Sequence, residues 1–145
     1  MSRRDAITRE LFAMPQPAAP APASMDYRAT VAHLLADMFA QSGLDRWEIA
    51  ARASRLAGKE ISKYMLDSYT AESREACNAP AWVIPVLETA CNAHLVSNWM
   101  AGVRGGRLYI GGDALAAELG RIERQRDELA SQARELRDTL RRTTR

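Results

Sequence analysis

The chain reads as an all-α protein: a small helix-turn-helix domain of four to five helices followed by a long C-terminal coiled-coil helix. Three observations predict that class. Apolar residues recur at three- and four-residue spacing through residues 27–101. A leucine heptad occupies residues 113–145. Aromatic residues are only 6% of the chain, which favours a core of alanine and leucine on helices over a β-sandwich. With 145 residues and 47% hydrophobic content there is room for one modest core, much of it alanine that buries little area per residue.

Residues 1–14 form an N-terminal arm with Ile7, Leu11, Phe12 and Met14 on one side of a short amphipathic helix. It is either a frayed terminus or a docking peptide whose arginines, Arg3, Arg4 and Arg9, touch phosphates or a protein partner. Residues 15–26 follow as a Pro/Ala-rich linker, whose four prolines favour an extended polyproline-II spacer.

The domain proper spans 27–101. From Tyr27 to Gln41, Val31, Leu34, Leu35, Met38 and Phe39 make a strong apolar stripe, and Gly43 ends the helix. The next helix carries Leu44, Trp47, Ile49, Ala50, Ala53 and Leu56 as its apolar set. Gly58 supplies positive φ for the exit, Ile61 plugs the turn and Ser62 stands where an N-cap belongs. In the following helix Met65, Leu66 and Tyr69 face inward, which leaves Lys63, Tyr64, Asp67 and Ser68 outward. Ala50 or Ala53 gives the small contact where two such helices cross.

Residues 70–80 are polar and end at a proline, a loop. A helix over 81–92 offers Trp82, Ile84, Val86, Leu87 and Ala90, with Pro85 in its first turn, where a missing N–H does little harm. A further turn or two from His94 to Ala101 adds Leu95, Val96, Trp99 and Met100. Leu35, Phe39, Ile49, Leu66, Trp82 and Leu87 are expected to be buried together.

Residues 102–112 are a Gly-rich hinge, with Arg107–Ile110 as one short extended segment or tight loop. Neither a P-loop lysine nor a dinucleotide fingerprint accompanies its glycines. In 113–145, Leu115, Leu119, Ile122, Arg126, Leu129, Ala133, Leu136 and Leu140 step by four and three, the progression of a heptad seam. Eight arginines against seven acids leave this stretch nearly neutral, not a basic nucleic-acid arm. Arg126 and Ala133 weaken the seam, and polar a positions favour few-stranded assemblies, so a homo-oligomer, most simply a parallel dimer, is expected. The alternative is that this helix folds back on the domain.

The net charge of +2 and a pI near 8.7 permit nucleic-acid binding without arguing for it. Cys77 and Cys91 lack metal spacing and read as free thiols of a reducing cytoplasm. No metal, no cofactor and no enzymatic activity are expected: His33, His94 and Cys91 complete neither a triad nor a metal shell, and no serine sits in a nucleophile elbow. No apolar run suits a signal peptide or membrane span, so the chain is expected to be soluble, with no membrane partner.

Trp47-Glu48-Ile49-Ala50-Ala51-Arg52 followed by Gly58-Lys59-Glu60-Ile61-Ser62-Lys63-Tyr64-Met65-Leu66-Asp67 resembles the λ-repressor-like (Cro/CI-type) helix-turn-helix of regulatory proteins from Mu-like transposable bacteriophages and prophages. The resemblance covers roughly Tyr27 to Trp99, and the linker between the helices is longer than the classical tight turn. It implies a DNA-binding transcriptional regulator in the cytoplasm of a bacterial host, with double-stranded DNA as partner. Ser62, Lys63, Tyr64, Asp67 and Ser68 would then read base edges or adjacent phosphates, since residues early in a recognition helix lie deepest in the groove. Arg46, Arg52, Lys59 and Arg74 would contact the backbone. Two alternatives remain at this point: a small terminase-like packaging or replication subunit, and a protein–protein adaptor that binds no DNA. The adaptor draws on the charge of residues 44–78, six basic residues against six acidic.

Overall fold

The computed structural model describes residues 16–74 and 76–143, so the N-terminal arm lies outside it. The described residues are all-helical, with six α-helices, no strand and a single isolated bridge. The chain divides into two compact units at Leu108–Tyr109.

Among the described residues of the first unit there are five helices: α1 (Arg28–Gln41), α2 (Arg46–Ala57), α3 (Lys63–Thr70), α4 (Val83–Cys91) and α5 (Leu95–Val103). Each has one apolar face, and each covers that face with its neighbours. α2 packs chiefly on α4, while α1 lies across α3 and α5. Leu35, Met38, Ile49, Leu66, Val83, Leu87 and Val96 are fully enclosed in the shared core. Burying such a side chain contributes roughly 1.5–3 kcal/mol, which makes this cluster the main source of the fold's stability.

Local chemistry sets the helix limits. Asp45 caps α2 by accepting from the Glu48 N–H at 2.8 Å, and Gly58 closes it in the left-handed region at φ 66°. Ser62 caps α3 through the Met65 N–H at 3.2 Å. α4 ends at Asn92, whose φ of 51° is the left-handed conformation that asparagine tolerates better than most residues. α5 begins without a side-chain cap of its own. Instead the buried Glu88 carboxylate of α4 accepts from the Ser97 N–H at 2.8 Å and from the Ser97 hydroxyl. A carboxylate at a helix N-terminus complements the exposed N–H groups and the helix dipole, which is how a nearly enclosed charge is tolerated here.

Three expectations about burial are corrected. Trp47 and Leu56 are exposed, at 70% and 55%. The buried centre of α2 is Ile49, Ala50 and Ala53, and Trp47 lies about 120° around the helix from Ala53. Trp82 immediately precedes the first residue of α4 and stays 44% exposed, under the Lys59 ammonium rather than in the core. The Pro/Ala segment is also not wholly a spacer. Ala18 N–H donates to the Val103 carbonyl at 2.9 Å, and Pro17 bridges to Arg104. Gly105, at φ 74°, makes this approach feasible: a Cβ there would stand 2.7 Å from the Pro17 nitrogen.

The second unit contains one helix, α6 (Gly112–Thr143), 32 residues long, with no buried residue. Among the described residues no helix is long and apolar enough to cross a membrane.

Candidate nucleic-acid interface

α2, α3 and the turn between them form a rigid corner. Ser54, one turn before the end of α2, holds the chain seven residues on: its hydroxyl accepts from the Ile61 N–H at 2.8 Å and donates to the Ile61 carbonyl at 3.1 Å. Ile61 is thereby fixed as the buried plug of the turn, as its sequence position suggested. Arg46, at the start of α2, ties the far end of α3. Its guanidinium donates to the Leu66 carbonyl (3.3 Å) and the Thr70 hydroxyl (3.0 Å), stands 3.6 Å from Asp67 and stacks over the Phe39 ring. The corner is thus held at both ends of α3.

The surface of that corner is polar and aromatic. Tyr64 is 67% exposed on the first turn of α3. Lys63 beside it pairs with Asp67 one turn on and lies 5.9 Å from the Trp47 ring centroid of α2. Arg52 pairs with Glu48 at 2.7 Å along the exposed side of α2. Lys59, in the turn, sits 3.7 Å over the Trp82 ring. Lys63, Tyr64, Arg52, Lys59 and the exposed Arg55 therefore belong to the outer surface of α2, α3 and their turn.

Other candidates are placed differently. Ser62 is spent on the N-cap. Ser68, expected to face outward, is 4% exposed. Its hydroxyl donates to the Tyr64 carbonyl and accepts from Arg74 at 2.8 Å. Arg74 comes from the loop after α3, which returns across this face and is pinned to α1 where Arg28 donates to the Glu72 carbonyl and His33 meets Glu72 at 3.3 Å. The Arg74 guanidinium also stacks 5.0 Å from the Tyr64 ring centroid. Arg46 works as the clamp described above. The residues that sequence reasoning missed here are Ser54, whose partner is a backbone group, and Arg55, whose exposure shows only once α2 is oriented.

Neither cysteine builds a site. Burial pushes the Cys91 thiol above its ordinary range, against the lowering effect of the Ser42 hydroxyl and of Arg52. Among the described residues no three His, Cys, Asp or Glu side chains converge as metal ligands would.

On α6 the seam side chains are solvent-facing, with Leu115, Leu129 and Leu136 all more than half exposed. No family model, no curated protein and no solved structure matches this chain.

Proposed function

We propose that the five-helix domain binds double-stranded DNA, with the N-terminal turn of α3 in the major groove, and that α6 joins two copies into a dimeric regulator of the kind Mu-like phages encode. One observation carries the reading: the corner between α2 and α3 is pinned by Ser54 and Arg46, while Tyr64 stands exposed and Lys63 half-exposed on the first turn of α3, the turn that a recognition helix presents to the groove. Tyr64 and Lys63 supply contacts to base edges. Arg52, Arg55 and Lys59 flank them on α2 and the turn and supply phosphate contacts. Ser68 and Arg46 serve the fold rather than the DNA, and Asp67 orients Lys63.

Lys63, Arg52 and Lys59 on this surface are shared with acids or rings, so binding there exchanges one partner for another, and with Arg55 added the electrostatic footprint is still small. The four cations together correspond to a salt slope no steeper than about −4 per domain. Exposed Trp47, Leu56 and Tyr64 beside a charge-balanced surface favour a second reading, a protein–protein adaptor. A mobility-shift assay of the full chain on fragments of the genome that encodes it separates the two. Retarded fragments that survive competition by random DNA support the regulator. An absence of retardation at low salt leaves the adaptor.

A further inference from the structure

The heptad on α6 places Leu115, Ile122, Leu129 and Leu136 at d and Leu119, Arg126, Ala133 and Leu140 at a. Only three of the flanking e and g positions within the described residues are charged: Glu118 at g, and Glu123 and Arg137 at e. In a parallel pair each seam residue meets its own copy, so Arg126 lies against Arg126 and Ala133 against Ala133. Two of eight layers are then poor, one of them a pair of like charges. A parallel pair also sets each g position across from the following e, which brings Glu118 to Glu123 of the second copy, a second repulsion.

Reversing one helix removes all three defects. In the register that overlaps every seam position, a meets d. Arg126 then lies opposite Leu129 of the second copy, Ala133 opposite Ile122, and Leu119 opposite Leu136. Each small or charged seam residue meets a large aliphatic one. The flanks change as well: e shares a side with e, and g with g. Glu123 thus lies on the same flank as Arg137 of the second copy, while Glu118 faces only uncharged Gln132 and Thr139. The ion pairs within α6 suit this arrangement. Glu118 is already bound by Arg121 through two hydrogen bonds of 2.6 and 2.9 Å, which hold its carboxyl below the usual range. Arg126 is engaged by Asp127. Glu123 acts on Arg126 only as a weak, more distant charge, and neither Glu123 nor Arg137 makes an ion pair among the described residues, so both can pair with a second copy.

We propose that α6 of two copies pairs antiparallel, a conclusion that rests on the self-association proposed above and reverses the parallel orientation that the heptad alone suggests. The test uses the full chain with the exposed Cys77 replaced (Cys77→Ser), and reads the dimer dissociation constant by sedimentation equilibrium. In an antiparallel pair Glu123→Arg confronts Arg137 of the second copy and weakens the dimer about tenfold, as two attractive pairs become repulsive. Adding Arg137→Glu to it restores the wild-type constant. In a parallel pair the same Glu123→Arg relieves the clash with Glu118 and tightens the dimer. A second variant, Ala133→Cys, tests orientation without charge. An antiparallel pair holds those sulfurs roughly 16 Å apart along the axis and forms no disulfide under mild oxidation, whereas a parallel pair forms it readily. An unchanged or tighter Glu123→Arg dimer, or an Ala133→Cys disulfide, overturns the orientation alone. A wild-type chain that stays monomeric overturns the self-association itself, leaving DNA binding by the domain to be judged on its own.

Discussion

Ser54 and Ile61, seven residues apart, exchange two hydrogen bonds, and the turn between α2 and α3 takes its shape from that exchange. One hydroxyl satisfies both polar groups of a residue that is otherwise enclosed in the core. Replacing it with alanine leaves a buried N–H and a buried carbonyl without partners. Ser54→Ala is expected to cost about 1–3 kcal/mol of stability, read as a lower midpoint in urea with an unchanged slope. A variant as stable as wild type would show that the turn is held by Ile61 packing alone.

Two arginines on α2 separate structural from surface roles. Arg46 bonds the end of α3 and stacks on Phe39, so Arg46→Ala is expected to destabilise by about 1–2 kcal/mol. Among the described residues Arg52 pairs only with the exposed Glu48 and otherwise acts on Cys91 through its charge alone, so Arg52→Ala stays within about 0.5 kcal/mol. In DNA titrations Arg52→Ala instead shallows the salt slope by roughly one unit. Chemical denaturation of the two variants side by side checks the ranking, and equal destabilisation would contradict it.

The cysteines predict a pH response. Cys77 is exposed and Cys91 buried, so native protein is expected to take up alkylating reagent once per chain near neutral pH, and twice when unfolded. Because burial raises the folded thiol of Cys91, the unfolded chain gives up that proton first as pH climbs. This contribution to stability is present below the ordinary thiol range and is lost as pH rises through the folded value. Burial and the nearby Cys77 raise Tyr69 in the same direction. Urea midpoints that fall from neutral to alkaline pH fit this account; midpoints that rise would refute it.

What the sequence revealed was the chemistry that acts locally. Gly58, Ile61 and Ser62 announce a cap, a plug and an N-cap within five residues, and each does that job in the structure. The long C-terminal helix was equally legible, because its period needs no partner to be read. Distant pairings were not. Ser68 looks outward on the wheel of α3 and is buried only because the loop carrying Arg74 returns over it. Glu88 serves a helix that begins several residues later, and Arg46 reaches across 20 residues to the Leu66 carbonyl. Apolar spacing assigned Trp47 and Trp82 to the core, yet the angular position of Trp47 on α2 and the place of Trp82 ahead of α4 leave them exposed beside Lys63 and Lys59. Whether the surface cations face a groove together depends on helix orientation, which a linear pattern does not encode.

In the proposed regulator the start of α3 reads bases. The most direct measurement is the affinity of the Lys63→Ala/Tyr64→Ala variant for a selected DNA site and for random DNA, alongside its thermal midpoint. Both side chains lie at the surface, so the midpoint is expected to stay within a few degrees of wild type. Affinity for the selected site is expected to fall by about 1–3 kcal/mol for each base-reading side chain removed, with a much smaller drop on random DNA. Equal drops on both DNAs would make α3 a clamp rather than a reader, and a wild-type chain that binds neither DNA at low salt would contradict the account altogether.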